Sequence, residues 1–198
     1  TTPRIVTSTL WEVRFPRLVI ALAVGAGLGC AGALLQGIFA NPLAEPSIIG
    51  VSSGGAVFAS GLLAIASLAG VERSYGFLKW GTALAAFIGA LLTTLLVYSL
   101  SRVQGKTVVV NLILVGVAIN AMAGGFVTLF SFIGGTMAQS QVVFWQLGSL
   151  AGAGWSSAVI TLIITVIGIV IACLCAPKMD LLALGENQAR HLGVNVER

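Results

Sequence analysis

Charge is what this 198-residue chain has least of: Asp, Glu, Lys and Arg together make up 8% of it, and none lies in the middle of a long apolar run. That scarcity excludes a soluble domain and argues against proton relays and voltage sensors, which hold ionisable side chains at membrane depth. Histidine occurs once, at His191, where a solvated or interface role fits better than ligation, and cysteine occurs three times. Cys30, Cys173 and Cys175 sit in apolar stretches where a thiol behaves as a small hydrophobe, and Cys173 and Cys175 point different ways on a helix. Neither a disulfide nor a metal site is expected. The sequence has no GxxxxGK(S/T) phosphate loop and no HExxH pair, so no catalytic residue and no cofactor is expected. Residues 1–17, TTPRIVTSTLWEVRFPR, lack the basic, apolar, small-residue order of a signal peptide and read as a polar connection.

What the chain does have is apolar surface. Hydrophobic residues make up 58% of it and its mean hydropathy is +1.05, which defines an all-α, polytopic transmembrane helix bundle. About twenty apolar residues cross the roughly 30 Å of hydrocarbon, and such runs fall at about 18–39, 48–71, 81–100, 108–133 and 156–176. Residues 1–176 therefore read as a transmembrane region of five spans, with 177–198 outside the bilayer. The formal charge of +4 and pI near 9.3 reflect basic residues in connections and at span ends, not a nucleic-acid patch. Arg4, Arg14, Arg17, Arg73 and Lys79 fall on one side against Arg102, Lys106, Lys178, Arg190 and Arg198 on the other, so the positive-inside rule is silent.

The passage at 36–55, QGIFANPLAEPSIIGVSSGG, is polar, proline-broken and glycine-rich between two strongly apolar runs. Non-helical backbone survives near a bilayer only where protein or a water-filled cavity satisfies its N–H and C=O groups, so a break of this kind marks a transport path. Trp11, Trp80, Trp145 and Trp155 stand at the edges of connections, as headgroup-seeking rings do, although each alone could merely fill a packing gap. Residues 134–155 form a long connection whose middle, about 141–150, is amphipathic. A short helix entering the interface and an ordinary loop with one helical turn both fit. Ala21, Gly25, Gly29 and Ala33 recur every fourth residue as a packing stripe. Gln36, Asn111 and Asn120 need partners in helices or water, whereas Thr93 and Thr94 can bond a carbonyl one turn back. Stitching helices together explains all five without invoking cargo.

At Pro177 the character changes to PKMDLLALGENQARHLGVNVER, one or two amphipathic helices broken at Gly185, whose apolar face needs lipid, the protein's own helices or a second protein.

These passages together resemble the membrane permease subunit of the type II ABC importers, the family that takes up ferric siderophores, haem and cobalamin. The matching residues are Arg14-Phe15-Pro16-Arg17, Gly32 with Leu35-Gln36, Asn41-Pro42-Leu43-Ala44-Glu45-Pro46 leading to Gly50-Val51-Ser52-Ser53-Gly54, Leu147-Gly148-Ser149-Leu150, and Leu181-Leu182-Ala183-Leu184-Gly185-Glu186 with Ala189 and Leu192-Gly193-Val194. The resemblance implies roles. Arg14 and Arg17 would dock an extracytoplasmic solute-binding protein, although interfacial anchoring fits them too. Asn41, Pro42, Leu43, Ala44, Glu45 and Pro46 would form part of an inner gate, with Gln104, Gly105, Lys106, Thr107 and Val108 as its other turn. Leu181, Leu182, Leu184, Gly185, Glu186, Ala189, Leu192 and Gly193 would be coupling helices seated on an ATP-binding cassette ATPase on the cytoplasmic side. It further implies a homodimer with a second permease copy, a bacterial plasma (inner) membrane location, and alternating access driven by ATP burned elsewhere. Five spans are about half of the family's usual number, which implies a longer parent protein holding a first span and everything beyond the coupling segment. The competing expectation is a small channel or secondary transporter working without ATP, with 41–55 as a re-entrant loop. A purely structural subunit, tolerant of changes at Asn41 and Pro42, is a weaker one. The cargo is not legible, because in this family the path is lined by small and apolar side chains.

Overall fold

A computed structural model describes residues 2–70, 75–103 and 106–183. They form helices α1 (Thr2–Thr9), α2 (Phe15–Phe39), α3 (Val51–Leu68), α4 (Tyr75–Leu100), α5 (Val109–Ile133), α6 (Gly135–Leu147) and α7 (Trp155–Ala183). A two-stranded antiparallel ribbon, β1 (Arg102–Val103) with β2 (Lys106–Thr107), joins α4 to α5. Five helical stretches are long and apolar enough to cross a membrane: Val6–Phe39, Val51–Leu68, Trp80–Leu100, Val109–Ile133 and Trp155–Leu181. The all-α bundle of five spans expected from composition is what the chain forms.

The chain divides into two compact units, one running to Ala44 and resuming at Ser149, the other Glu45–Gly148. In the first, α2 and α7 run in the same direction. Trp11 meets Trp155 near their starts, Gly27 meets Thr165 midway, and Gly37 meets Met179 near their ends. In the second, α3 packs most extensively on α4, where Gly54 faces Gly89 so closely that a Cβ on either would collide with the other's carbonyl. Small residues let helix backbones approach, and in hydrocarbon that close van der Waals packing is the main attraction available. Ala59, Ser60, Leu63 and Ala64 bury the middle of α3, and Ala138 and Val142 bury one face of α6.

Several boundaries differ from those read in the sequence. The N-terminal connection is helical: α1 runs into a π-helical turn, Leu10–Arg14, and on into α2. Pro16 explains the turn, because a proline one turn into an α register would clash with the carbonyl of Glu12 and offers no N–H. The wider π register relieves this, with the Phe15 N–H reaching back to the Leu10 carbonyl. At the other end α7 does not stop at residue 176 but carries Pro177 within it and continues to Ala183. Proline there forfeits one hydrogen bond to the Cys173 carbonyl, and the helix continues through it. The short helix expected at 141–150 lies at Gly135–Leu147, starting after the positive-φ Gly135. The Ala21, Gly25, Gly29, Ala33 stripe is exposed, and α2 meets α7 through a neighbouring face that includes Gly27. Gln36 is likewise exposed, and what its residue contributes to the turn is a carbonyl accepting the Asn41 N–H (3.1 Å).

Candidate functional site

In the first unit, the groups singled out in the sequence fall at opposite ends of the α2–α7 pair. At the α2 start, the π turn leaves the Trp11 carbonyl without a helical donor, since the Phe15 N–H goes to Leu10 and Pro16 has none. Trp155 Nε1 donates to that carbonyl at 3.0 Å, and the two indoles stand 5.3 Å apart. Arg17 is half-buried and donates from Nη2 to the Ala151 carbonyl at 3.0 Å, fixing the connection into α7, while its Nε is buried without a partner. Ser149 accepts the Ala151 N–H at 3.1 Å and tightens the same turn. Arg14 is exposed. The paired arginines of the sequence are thus unlike in setting: one holds the fold, the other is open to a partner.

At the far end, α2 closes on Ala40 in the left-handed region (φ 46°), a strained setting for a residue with a Cβ. Asn41 then caps the turn, its Oδ1 accepting the Leu43 N–H at 2.9 Å and its carbonyl accepting the Ala44 N–H at 3.1 Å. This is the Asx turn that asparagine before proline favours. Asn41 and Pro42 are exposed, Leu43 is 83% exposed and Ala44 is buried. Leu181 lies on the last turn of α7, toward which α2 also ends, given the Gly37 contact with Met179.

The second unit opens with the rest of the proline-broken passage. The Glu45 carbonyl accepts the Ile48 N–H (3.2 Å), the Ser47 hydroxyl bonds the Glu45 carboxylate, and Pro46–Ile49 makes one 3-10 turn. Gly50 (φ 80°) ends that turn and starts α3, with Thr93 of α4 packed where a Cβ would project. The turn is seated on α5: a Cβ on Gly116 would lie 1.9 Å from the Ile48 carbonyl, so only glycine admits the contact. One turn further, Asn120 Nδ2 donates to the Ser47 carbonyl at 3.0 Å while its Oδ1 accepts the Ser53 hydroxyl at 2.6 Å. Asn120 is half-buried, and both halves of its amide are matched.

Ser53 and Asn120 also line a cleft of about 1270 Å³ walled by α3, α4, α5 and α6. Its remaining polar side chains, among them Ser52, Thr128, Ser131 and Gln139, are neutral, and among the described residues no charged one lines it. Thr128 and Ser131 bond carbonyls of their own helix, as Thr94 does, so their hydroxyls cost the helices little. Ser67 takes the Gly134 carbonyl exposed where α5 gives way to α6 (2.8 Å). Lys106 and Thr107 form β2, and Val108, exposed, caps α5. Gln104, Gly105, Leu184, Gly185, Glu186, Ala189, Leu192 and Gly193 lie outside the described residues, as do the side chains of Leu182, Lys106 and Thr107. Sequence reading flagged Asn120 as a buried amide but missed its link to the 46–49 turn. Gly116 and Ser53 gave no signal of their own there, because both contacts span about seventy positions.

A membrane bundle with a proline-broken turn between two spans and a partly polar cleft fits a transport protein. The chain belongs to the FecCD transport family, whose pattern it matches over residues 2–198. It is 37% identical over 94% of its length to the cobalamin import system permease protein BtuC of Halobacterium salinarum, and 34% identical over 96% to the hemin transport system permease protein HmuU of Yersinia pestis. Those alignments cover 48% and 55% of the two relatives, so the chain spans about half their length. Its fold is similar to a solved inward-facing metal-chelate type ABC transporter, with a TM-score of 0.82 and 31% identity over 97% of this chain and 58% of that one. With the family goes the location, a multi-pass protein of the plasma (inner) membrane.

Proposed function

We propose that this chain is part of the permease subunit of an ATP-driven type II importer for cobalamin, haem or a related metal chelate, ferric siderophores included. The observation that carries the reading is the family match along residues 2–198, joined to a broken segment whose second half is seated on a neutral cleft. A neutral, partly polar wall suits a bulky amphipathic cargo released from elsewhere better than a bare ion, which needs a ring of charge or carbonyls.

Under this reading the 41–46 passage and the turn ending at Val108 serve the inner gate, and the segment from Leu181 onward seats an ATPase. Residues 177–198 are then extramembrane and cytoplasmic, even though the helix itself continues past Pro177. The parallel course of α2 and α7 supports this, since it brings the Asn41 turn and Leu181 toward one end of the first unit and Arg14 to the other. Arg14, being exposed, is the stronger docking candidate for a solute-binding protein; Arg17 serves through the loop it fixes. A second permease copy completes the assembly, and hydrolysis belongs to the ATPase, the permease contributing none.

The test uses the full-length parent protein. It is expected to co-purify with an ATP-binding cassette subunit and to lose it when residues 186–192 are scrambled. Uptake of cyanocobalamin, haemin and a ferric siderophore, measured in parallel, then identifies the cargo. Transport that persists without nucleotide or ATPase would overturn the reading in favour of a secondary transporter.

A further inference from the structure

We propose that Asn120 is a positioning residue: it latches the 3-10 turn Pro46–Ile49 against α5 and is the polar link between that turn and the cleft. Three independent features converge on it. Its amide donates to the Ser47 carbonyl at 3.0 Å, its oxygen accepts from Ser53 at 2.6 Å, and one turn away Gly116 brings the Ile48 carbonyl onto the α5 backbone. Ser53 and Asn120 both stand on the cleft wall, while Ser47 and Ile48 belong to the turn.

The arrangement has the makings of a two-state element. When a polar group or water arriving in the cleft donates to the Ser53 oxygen, the single hydroxyl hydrogen can turn from Asn120 to the Gly50 carbonyl, 3.1 Å away. An amide freed on one side is then fixed only through Ser47, so the single bond by which it holds the turn, beside the Gly116 contact, is less firmly anchored. Entry of a ligand on the wall would in this way loosen the turn, and closure of the turn would restore the wall. On α5, the Thr128 and Ser131 hydroxyls bond carbonyls of their own helix, whereas Ser53 of α3 also reaches across to Asn120.

The latch stands on geometry, whereas its service to a gate rests on the function proposed above, and the experiment separates the two. In the full-length protein in proteoliposomes, with Cys30, Cys173 and Cys175 replaced by alanine, Ser47→Cys reports the turn through its rate of reaction with a maleimide. At the average worth of an interhelical bond in membrane proteins, Ser53→Ala should raise that rate about threefold and Asn120→Leu, which removes both bonds, roughly eightfold. Thr128→Val, on the same wall, should leave it unchanged. Should Asn120→Leu fail to insert, Asn120→Ser, too short to reach Ser47, is expected to raise the rate by a similar factor. A labelling rate indifferent to position 120 overturns the latch.

The second readout is release of trapped carboxyfluorescein from the same vesicles, at equal protein incorporation and helix content. Faster release in step with faster labelling supports the gating role, because a merely structural side chain would change incorporation and not open a path. Faster labelling with an unchanged leak overturns the gating role and leaves the importer reading standing, while a flat labelling rate overturns the latch.

Discussion

The two units use the same kind of sequence in different ways. In Val51–Leu68, at the centre of the second unit, 39% of the most apolar window is buried, against 17% and 11% in that unit's flanking spans Val109–Ile133 and Trp80–Leu100 and 11% in each long helix of the first unit, which has no such central helix among the described residues. The second unit is stitched by glycine contacts and by side chains that bond across helices, Asn120 to Ser47 and Ser53, and Ser67 to Gly134. The first is a two-helix pair tied mainly at its start, by Trp155 and Arg17, with its small-residue stripe open. The difference teaches that apolar content does not measure self-sufficiency in a membrane. Val51–Leu68 has the lowest mean hydropathy of the five spans, 1.7 against 3.0 for Trp155–Leu181, and is a core element because small residues and matched polar groups let others close on it.

The sharpest way to break this comparison is to put the same methyl group into both units. Gly116→Ala drives a Cβ into the Ile48 carbonyl and is expected to cost about 3 kcal/mol or more, read from unfolding in detergent by circular dichroism. Gly25→Ala, with open space around it, should stay within about 0.5 kcal/mol in the same assay. Equal effects would mean that the first unit is as tightly closed as the second.

Arginine substitutions sharpen the picture of the first unit. Arg17→Gln forfeits the bond to the Ala151 carbonyl and should cost about 1.5 kcal/mol, with faster amide exchange at 149–154, while Arg14→Gln leaves both unchanged. Trp155→Phe keeps the ring contact with Trp11 but loses the donor to its carbonyl, and about 1 kcal/mol is the expected loss. A loss several times larger would show the π turn itself collapsing. The smallest effect is a gain: Ala40→Gly relieves a left-handed alanine but makes the unfolded chain freer, leaving at most about 1 kcal/mol of net stabilisation, visible as a raised midpoint.

Much of the fold was legible because a bilayer reads composition directly. Residues 109–133 met the expectation of a span almost to the residue, since nothing within that run competes with the helix. Prolines misled in both directions. Pro16 closes a stretch with the composition of a polar connection yet begins α2, and Pro177 follows the last apolar run yet lies inside α7. A proline removes one donor and sets one angle, and whether a helix survives that depends on what else holds its two sides. The Asn41 turn was legible from its own residues, because an Asx turn is local. The partners of Asn120 were not, because Ser53 and Ser47 lie 67 and 73 positions away.

Runs and motifs along the chain were enough to establish that it lives in a membrane, how many times it can cross, that its helical order breaks after Gln36, and to which family it belongs. Those properties depend on runs and neighbours along the chain, and the free energy of placing apolar residues in hydrocarbon is additive over such runs. Only the tertiary structure decided that Arg17 is engaged while Arg14 is open, that the small-residue stripe of α2 lies uncovered among the described residues, and that a single asparagine joins the broken segment to the cleft. A buried polar group must be matched, and which distant group matches it is fixed by how the helices meet.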